Sequence, residues 1–272
     1  MEQLISYFGE IPSSHRTLLL MAGLLFFWLI EGVIPITRFH YKKWRHALPN
    51  LFFTLTTAIV NFAFAYLIVK GSDAAVDGSW GILNWIALPI WMELLLGLML
   101  LDLIGAYFIH WLEHQVHWMW KFHVIHHSDE HVDSSSALRH HPGESVFRAV
   151  FTLLAVLVSG APMWLVMVYQ TSSALLSQFN HSNIKLPSWF NKSIGLLIVT
   201  PVMHRVHHHD EVPYTDKNYG NIFPFWDKIF GTYDHLDAEK IHLGLDVYEK
   251  RESHLGDLLG LPFDGKRYRK EK

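Results

Sequence analysis

The stretch LLLGLMLLDLIGAYFIHWLEHQVHWMWKFHVIHH, residues 94–127, sets the architecture of this chain, because an apolar run ends directly in a series of histidines. The apolar block 82–109 is longer than a membrane span needs at about 1.5 Å per residue, so its C-terminal end should leave the bilayer. His110 and His114 follow four residues apart, on one helix face. Because neutral imidazole is the commonest metal ligand in proteins, the stretch predicts a metal site where a helix emerges from a membrane.

Further histidines repeat the same helical spacing. Two H-x-x-H-H groups are present, formed by His123, His126 and His127 and by His204, His207 and His208. Together with the H-x-x-x-H pair they hold more ligands than one metal ion needs, which indicates a polynuclear site. On an unbroken helix His114 and His123 lie about half a turn out of phase, so these groups meet only if the helix ends between them or if they face opposite metals. The remaining candidates, which tertiary folding would have to bring in, are His140, His141 and His181.

The composition favours a membrane protein. Half of the 272 residues are hydrophobic and 17% are charged, whereas a soluble domain carries roughly a quarter of charged residues. Apolar blocks at 17–36, 48–69 and 82–109 are predicted to be transmembrane helices, and the block 146–179, interrupted by Gly160 and Pro162, a helical hairpin. We expect an all-α membrane protein with three transmembrane helices plus a helical hairpin and a cytoplasmic histidine-rich helical cap. It would form one domain, 1–272, with membrane helices in 17–109, the histidine-rich region in 110–235 and a cytoplasmic tail in 236–272.

Charge and cysteine content narrow the function. The absence of cysteine excludes thiolate-bound zinc, cysteine-held iron–sulfur clusters and cysteine nucleophiles. A net charge of −3 gives little support for a nucleic-acid partner. The loop after the first block carries Arg38, Lys42, Lys43 and Arg45, whereas the loop 71–81 has no basic residue. The positive-inside rule therefore predicts that the histidines lie on the cytoplasmic side. Because the chain is compact and carries no retention signal, the expected location is a bacterial inner membrane rather than the endoplasmic reticulum.

Two other functions remain open at this point. The segment HWLEH, residues 110–114, matches the H-x-x-E-H pattern of zinc peptidases, in which two histidines bind zinc and the glutamate, here Glu113, is the base. A membrane zinc hydrolase is therefore possible, but we rank it below a polynuclear metal site, because this short pattern leaves the other spaced histidines unexplained. A non-enzymatic haem or metal-binding membrane protein ranks third, because haem iron needs only one or two axial ligands.

Three carboxylates are candidates for orienting a metal-binding imidazole through its second nitrogen. Asp102 lies eight residues before His110, about two turns back on roughly the same helix face. Glu144 and Asp210 are close in sequence to histidine groups and are predicted to serve in the same way.

Residues 102–233 resemble the fatty acid hydroxylase superfamily, the membrane sterol desaturases and hydroxylases. The matching pieces occur in the order of that family and read HWLEH (110–114), HVIHHSDE (123–130), ALRHHPGE (137–144), QFNHSN (178–183), HRVHHH (204–209) and NYGNIFPFWDKIFGTY (218–233). The resemblance implies a non-haem di-iron centre on the cytoplasmic side of a small helical membrane domain. Such a centre activates dioxygen to hydroxylate or desaturate a lipid, which is a fatty acyl chain, a sterol or a related molecule.

The resemblance also implies the metal ligands and the partners. The R-x-H-P element favours His141 over His140, and some members carry a further histidine where Ser177 stands here. Two iron ions would be held by ten histidines, five per iron: His110, His114, His123, His126, His127, His141, His181, His204, His207 and His208. The chain contains no fused cytochrome-like module and no G-x-G-x-x-G nucleotide motif. Electrons are therefore expected from a separate ferredoxin, or a cytochrome, with its reductase.

Overall fold

A computed structural model of the chain describes residues 1–245 and 254–263. Within these ranges the chain is helical, and the only β-structure is two isolated bridges. The α-helices are α1 (Glu2–Gly9), α2 (Ser13–Val33), α3 (Lys43–Asp77), α4 (Ile90–Asp102), α5 (Ile109–Gln115), α6 (His117–His127), α7 (Pro142–Ser159), α8 (Met163–His181), α9 (Ser188–Ile194), α10 (Pro201–His207), α11 (Phe225–Ile229) and α12 (Leu255–Gly260). The expected all-α fold is confirmed. Residues 246–253 and 264–272 of the predicted tail lie outside the described residues.

Four helical segments are long and apolar enough to cross a membrane. They are Ser13–Val33, Lys43–Asn84, Ile90–Gln115 and Pro142–Ser159. Large apolar side chains on the outer surface, such as Leu18 and Phe62, are mostly exposed, at 67% and 85% of their surface. Such exposure would be costly in water and is favourable against lipid. The chain is therefore an integral membrane protein.

The third membrane helix begins later than the sequence predicted. The predicted block starts at residue 82, but residues 82–84 form a 3-10 turn and α4 begins only at Ile90, directly after Pro89. Proline has no backbone N–H, so it is favoured at a helix start and costly in the helix interior. A π-helical turn, Leu103–Phe108, joins α4 to α5, and the two form one continuous helix of 26 residues that ends beside the histidines.

The predicted hairpin is formed by α7 and α8, and its turn reaches the loop between α3 and α4. Gly160 adopts a φ of +71° at the turn, and its carbonyl accepts a hydrogen bond from the Asn84 side chain at 3.0 Å. Ser72 of α3 donates to the carbonyl of Ala161 at 2.8 Å. Near the start of α7, Ser145 contacts Thr57 of α3 at 2.8 Å, so this arm of the hairpin lies along the C-terminal part of α3. A buried apolar core that includes Leu101, Ala155 and Leu165 joins α4, α7 and α8.

The histidines lie at the opposite end of the bundle from the hairpin turn. His181 ends α8, and His141 precedes α7. The loop that carries the basic residues is tied to the same end, because the backbone N–H of Ile36 donates to the carbonyl of Asn183 at 2.9 Å. Basic loop and histidines therefore share one end of the molecule.

Candidate metal centre

Five histidines from three helices meet in a first group, here called cluster one. They offer ring nitrogens that all lie within 4.8 Å of one another, and all five residues are buried: His110 and His114 of α5, His123 and His127 of α6, and His207 of α10. Four histidines form cluster two with the same closeness and burial: His126, His181, His204 and His208.

Helix geometry explains how each H-x-x-H-H group serves both clusters. Residues four apart share a helix face, whereas the residue three after the first points to one side of that face. His123 and His127 accordingly lie in cluster one and His126 in cluster two. The second H-x-x-H-H group is arranged the other way round: His204 and His208, which are four residues apart, belong to cluster two, and the middle histidine, His207, belongs to cluster one. The two groups interlock, and a single polynuclear centre is the natural result.

The break between α5 and α6 explains how His114 and His123 can meet, although they would be about half a turn out of phase on an unbroken helix. Helix α5 ends at Gln115 and α6 begins at His117, and Val116 between them is extended, with φ −94° and ψ 107°. The change of direction lets His114 and His123 face the same point, and their ring centroids are 5.0 Å apart. Of the two alternatives that the sequence left open, the structure shows the first: the helix ends between these two groups.

Hydrogen bonds on the outer side of cluster one determine which nitrogen faces inward. Carbonyl and carboxylate oxygens only accept hydrogen bonds, so an imidazole nitrogen that binds one of them carries the proton. Four histidines are fixed in this way through Nδ1: His110 to the Tyr219 carbonyl at 2.9 Å, His207 to the Lys217 carbonyl at 2.8 Å, His114 to Asp216 at 3.1 Å and His123 to Glu144 at 2.9 Å. Each therefore presents an unprotonated Nε2 to the interior.

These inward nitrogens fit a bound cation. The Nε2 atom of His127 lies 3.1 Å from that of His114 and 3.2 Å from that of His123. The Nε2 atoms of His114 and His123 both carry a lone pair and no proton. The Nε2 of His127 carries at most one proton, so it can donate a hydrogen bond to only one of them, and the other pair of nitrogens has no proton between them. The Nε2 atoms of His110 and His207 are buried without a hydrogen-bond partner in the described part of the chain. A metal ion would satisfy all of these lone pairs at once.

Burial keeps the imidazoles neutral, as metal binding requires. Removal from water disfavours the charged form and lowers the pKa of His123 to about 4, although the neighbouring Glu144 raises it. Burial also holds the pKa values of His127 and His207 well below the usual range, and nearby histidines add to this effect. At neutral pH these rings are therefore uncharged, the form in which imidazole can bind a metal ion.

Cluster two is anchored differently. The Nδ1 of His181 donates to the Ser177 carbonyl at 2.8 Å, and its Nε2 lies 3.0 Å from that of His126 and 2.9 Å from that of His204. Among the described residues, both ring nitrogens of His208 and the Nδ1 atoms of His126 and His204 are buried without a partner. The Nε2 atoms of His126 and His204 converge on the unprotonated Nε2 of His181, an arrangement that also fits a cation.

Nine of the ten predicted ligands thus lie in the two clusters, and His141 does not. Its Nδ1 accepts a hydrogen bond from the backbone N–H of Gly143 at 3.0 Å, which caps the start of α7. His140 lies closer to the centre, because its ring stacks on that of His126 at 4.9 Å between centroids. His140 also donates from Nδ1 to Glu144 at 2.7 Å.

Of the three predicted carboxylates, Glu144 contacts a cluster histidine and the other two serve elsewhere. Asp102 is fully buried and accepts hydrogen bonds from the backbone of Ile222 and Phe223 and from the Trp226 indole. It therefore fixes the segment whose Tyr219 carbonyl binds His110, and it orients that imidazole only indirectly. Asp210 instead lies 3.4 Å from His209, outside both clusters.

Sequence reasoning missed a charged triad beside cluster one. Arg148 of α7 binds Glu113 at 2.6 Å and Glu144 at 2.9 Å, and both carboxylates are fully buried. A charged residue inside an apolar block is a signal that could have identified Arg148. The triad also bears on the H-x-x-E-H pattern: Glu113 is held by Arg148, and its two neighbouring histidines share a site with three more. This is a different environment from that of a zinc site with a free glutamate base.

Comparisons with known proteins agree with this geometry. The model of the family described as "Fatty acid hydroxylase" matches residues 94–232, just over half of the chain. Human alkylglycerol monooxygenase is 32% identical over 148 residues, which cover 52% of this chain and 30% of that protein. Ornithine lipid hydroxylase OlsE of Rhizobium tropici is 26% identical over 145 residues, covering 53% of this chain and 43% of that protein. The matched segments span less than half the length of these relatives. No solved structure matches the chain.

Proposed function

Because the chain belongs to the fatty acid hydroxylase family, we propose that it is a membrane-bound oxidoreductase that hydroxylates or desaturates a lipid with dioxygen and external electrons. One observation carries this proposal: two interlocked buried clusters of histidines whose ring nitrogens converge, several of them without a hydrogen-bond partner among the described residues. An all-imidazole donor set is suited to iron, and two adjacent sites suit a non-haem di-iron centre.

The cluster histidines would hold the irons, with cluster one binding one ion and cluster two the other. When bound, the reduced irons supply electrons to dioxygen, and the net reaction for hydroxylation consumes one dioxygen, two electrons and two protons and releases one water. Around them the chain excludes bulk water: His123 and His207 have no exposed surface, and the Trp120 ring packs 4.8 Å from that of His114. A dry site protects a strong oxidant from side reactions.

The substrate is proposed to enter from the membrane. The names of the two relatives identify alkylglycerols and an ornithine lipid as substrates of those proteins, and both are amphipathic lipids. The hairpin α7–α8, which begins and ends at the clusters, is our candidate for one wall of the path that such a lipid takes. Its outward side chains Val150, Leu154 and Val158 are at least partly exposed, as a surface in contact with lipid requires.

The clusters are proposed to face the cytoplasm. The loop with Arg38, Lys42 and Arg45 lies at the cluster end of the bundle, and basic loops remain on the cytoplasmic side. Soluble electron carriers are found there, so a separate ferredoxin or cytochrome with its reductase would reduce the centre. A bacterial inner membrane remains our proposed location.

Metal analysis tests this function directly. The protein would be purified in mild detergent without chelators from cells grown on iron-57, and its metal content and Mössbauer spectrum measured. Two coupled irons per chain are expected, and lipid products would then be sought by mass spectrometry. One zinc and no iron after growth in iron-rich medium would contradict the proposal and would bring the zinc hydrolase forward.

A further inference from the structure

The two clusters share one plan and differ at one position. Cluster one combines two pairs of histidines at spacing four with the middle histidine of an H-x-x-H-H group. Cluster two contains only one such pair, His204 and His208, together with the middle histidine His126. Its remaining member, His181, stands without a histidine four residues before it, because Ser177 occupies that position. The missing imidazole of cluster two is therefore assigned to residue 177.

Ser177 lies where such an imidazole would be needed. Residues 177 and 181 are one turn apart on the same face of α8. The ring of His181 folds back along this turn, since its Nδ1 binds the Ser177 carbonyl at 2.8 Å. The corresponding pair in cluster one, His110 and His114, places both rings at the site, with centroids 5.4 Å apart.

A second, independent difference is the outer anchoring of the ligands. In cluster one, Nδ1 of four histidines is fixed by a carbonyl or a carboxylate. In cluster two, only His181 has such a partner within the described residues. Outer hydrogen bonds hold a ligand in the binding orientation, and losing one typically costs about 10–100-fold in metal affinity.

We propose that the two metal positions are unequal: cluster one binds its ion tightly through five imidazoles, four of them fixed by outer hydrogen bonds, and cluster two binds more weakly and is the position open to a small exogenous ligand. The inference rests on the proposed metal-binding function. It assigns Ser177 as the residue that leaves room at the second ion. Fewer ligands and weaker preorganisation both lower the metal affinity of cluster two, so it should be lower than that of cluster one by more than about tenfold.

Metal titration of the purified chain tests this without any substrate. The metal would be stripped with chelator and Co²⁺ added back in steps, with binding followed by its visible absorption. We expect each chain to bind two equivalents of Co²⁺, with dissociation constants that differ by at least about tenfold. His114→Ala should remove the tighter equivalent and His208→Ala the weaker one. Azide should change the spectrum only after the second equivalent has been added.

Variants at residue 177 supply the sharper test. Ser177→His should tighten the weaker equivalent by about tenfold or more and suppress the azide response, while Ser177→Ala leaves both unchanged. Ser172→His, which adds an imidazole on another face of the same helix, serves as the matched control and should change neither constant. If Ser177→His does not fold, the smaller ligand in Ser177→Asp replaces it.

The outcomes separate the two proposals. Two equivalents of equal affinity, or an azide response that survives in His208→Ala and is lost in His114→Ala, would overturn the unequal sites while leaving the di-metal function intact. A wild-type chain that binds no transition metal would overturn the proposed function itself.

Discussion

Asp102 offers a quantitative test of how the fold supports the metal centre. Replacing it with alanine removes the acceptor of three hydrogen bonds, from the backbone of Ile222 at 3.2 Å, that of Phe223 at 3.3 Å and the Trp226 indole at 3.1 Å. A buried donor left without an acceptor costs about 1–3 kcal/mol. These bonds are at the long end of the usual range, so we take the lower value for each and expect a loss of about 3 kcal/mol.

The expected effect is large enough to measure in detergent. For a chain of this size, about 3 kcal/mol corresponds to a fall in melting temperature of about 6–12 °C, using about 2–4 °C for each kcal/mol. Because the same segment supplies the Tyr219 carbonyl to His110, the affinity of cluster one for metal should also fall by about tenfold. Asp102→Asn retains one acceptor oxygen and should lose less stability.

The control is Asp73→Ala, which removes an exposed carboxylate from the far end of α3 and should leave both values unchanged. Circular dichroism melting of the metal-free protein isolates the structural effect from the loss of metal. A melting temperature for Asp102→Ala within about 2 °C of the wild type would refute the reasoning, because orphaned donors would then be satisfied in another way.

Four further outcomes are expected. His126→Ala and His207→Ala should each lower the iron content by one ion per chain and abolish activity, and full activity in either variant would contradict its assignment as a ligand. Arg148→Met should lower metal affinity by about 10–100-fold by releasing the carboxylate that orients His123, as measured by Co²⁺ titration, whereas Arg148→Lys should recover part of the loss. Gly160→Ala should lower the melting temperature, since its φ is +71° and the new Cβ would lie 2.5 Å from a backbone oxygen; an unchanged value would show that the turn adapts. The metal-free protein should lose stability as the pH falls from about 6.5 to about 4. In this range His123 becomes protonated in the unfolded chain but stays neutral in the folded chain, because its pKa is lowered to about 4 on folding. A melting temperature that does not change over this pH range would contradict this effect of His123.

Residue spacing predicted the centre well because it reports directly on helix faces. The spacing places His110 and His114 on one helix face, and the mismatch with His123 left either a break in the helix or opposite metals; Val116 provides the break. Spacing is less informative for Asp102, because its distance of eight residues from His110 corresponds to two turns only on a regular α-helix. A π-helical turn lies between them, and three donors from the segment 222–226 already occupy the carboxylate.

The outer partners could not be predicted because they carry no signature in the sequence. The carbonyls of Tyr219 and Lys217 accept hydrogen bonds from two histidines of cluster one, yet every residue has a carbonyl, and only the path of the chain selects these two. Similarly, the choice between His140 and His141 depends on where α7 begins. Pro142 occupies the first helical position, so His141 becomes the cap and its ring is committed to Gly143.

The unpartnered nitrogens link the stability of this chain to its metal. Inward Nε2 atoms such as those of His110 and His207 have lost their water and, in the described residues, gained no protein partner. Each such nitrogen lowers the free energy of unfolding of the metal-free chain by about 1–3 kcal/mol, and a bound ion would remove this destabilisation. Removing a ligand therefore has two opposing effects, since it relieves part of this cost in the metal-free chain and forfeits binding energy in the metal-bound chain. It follows that a ligand variant should melt lower than the wild type when metal is present and close to it, or higher, when metal is absent, whereas a variant that only damages packing should melt lower in both states.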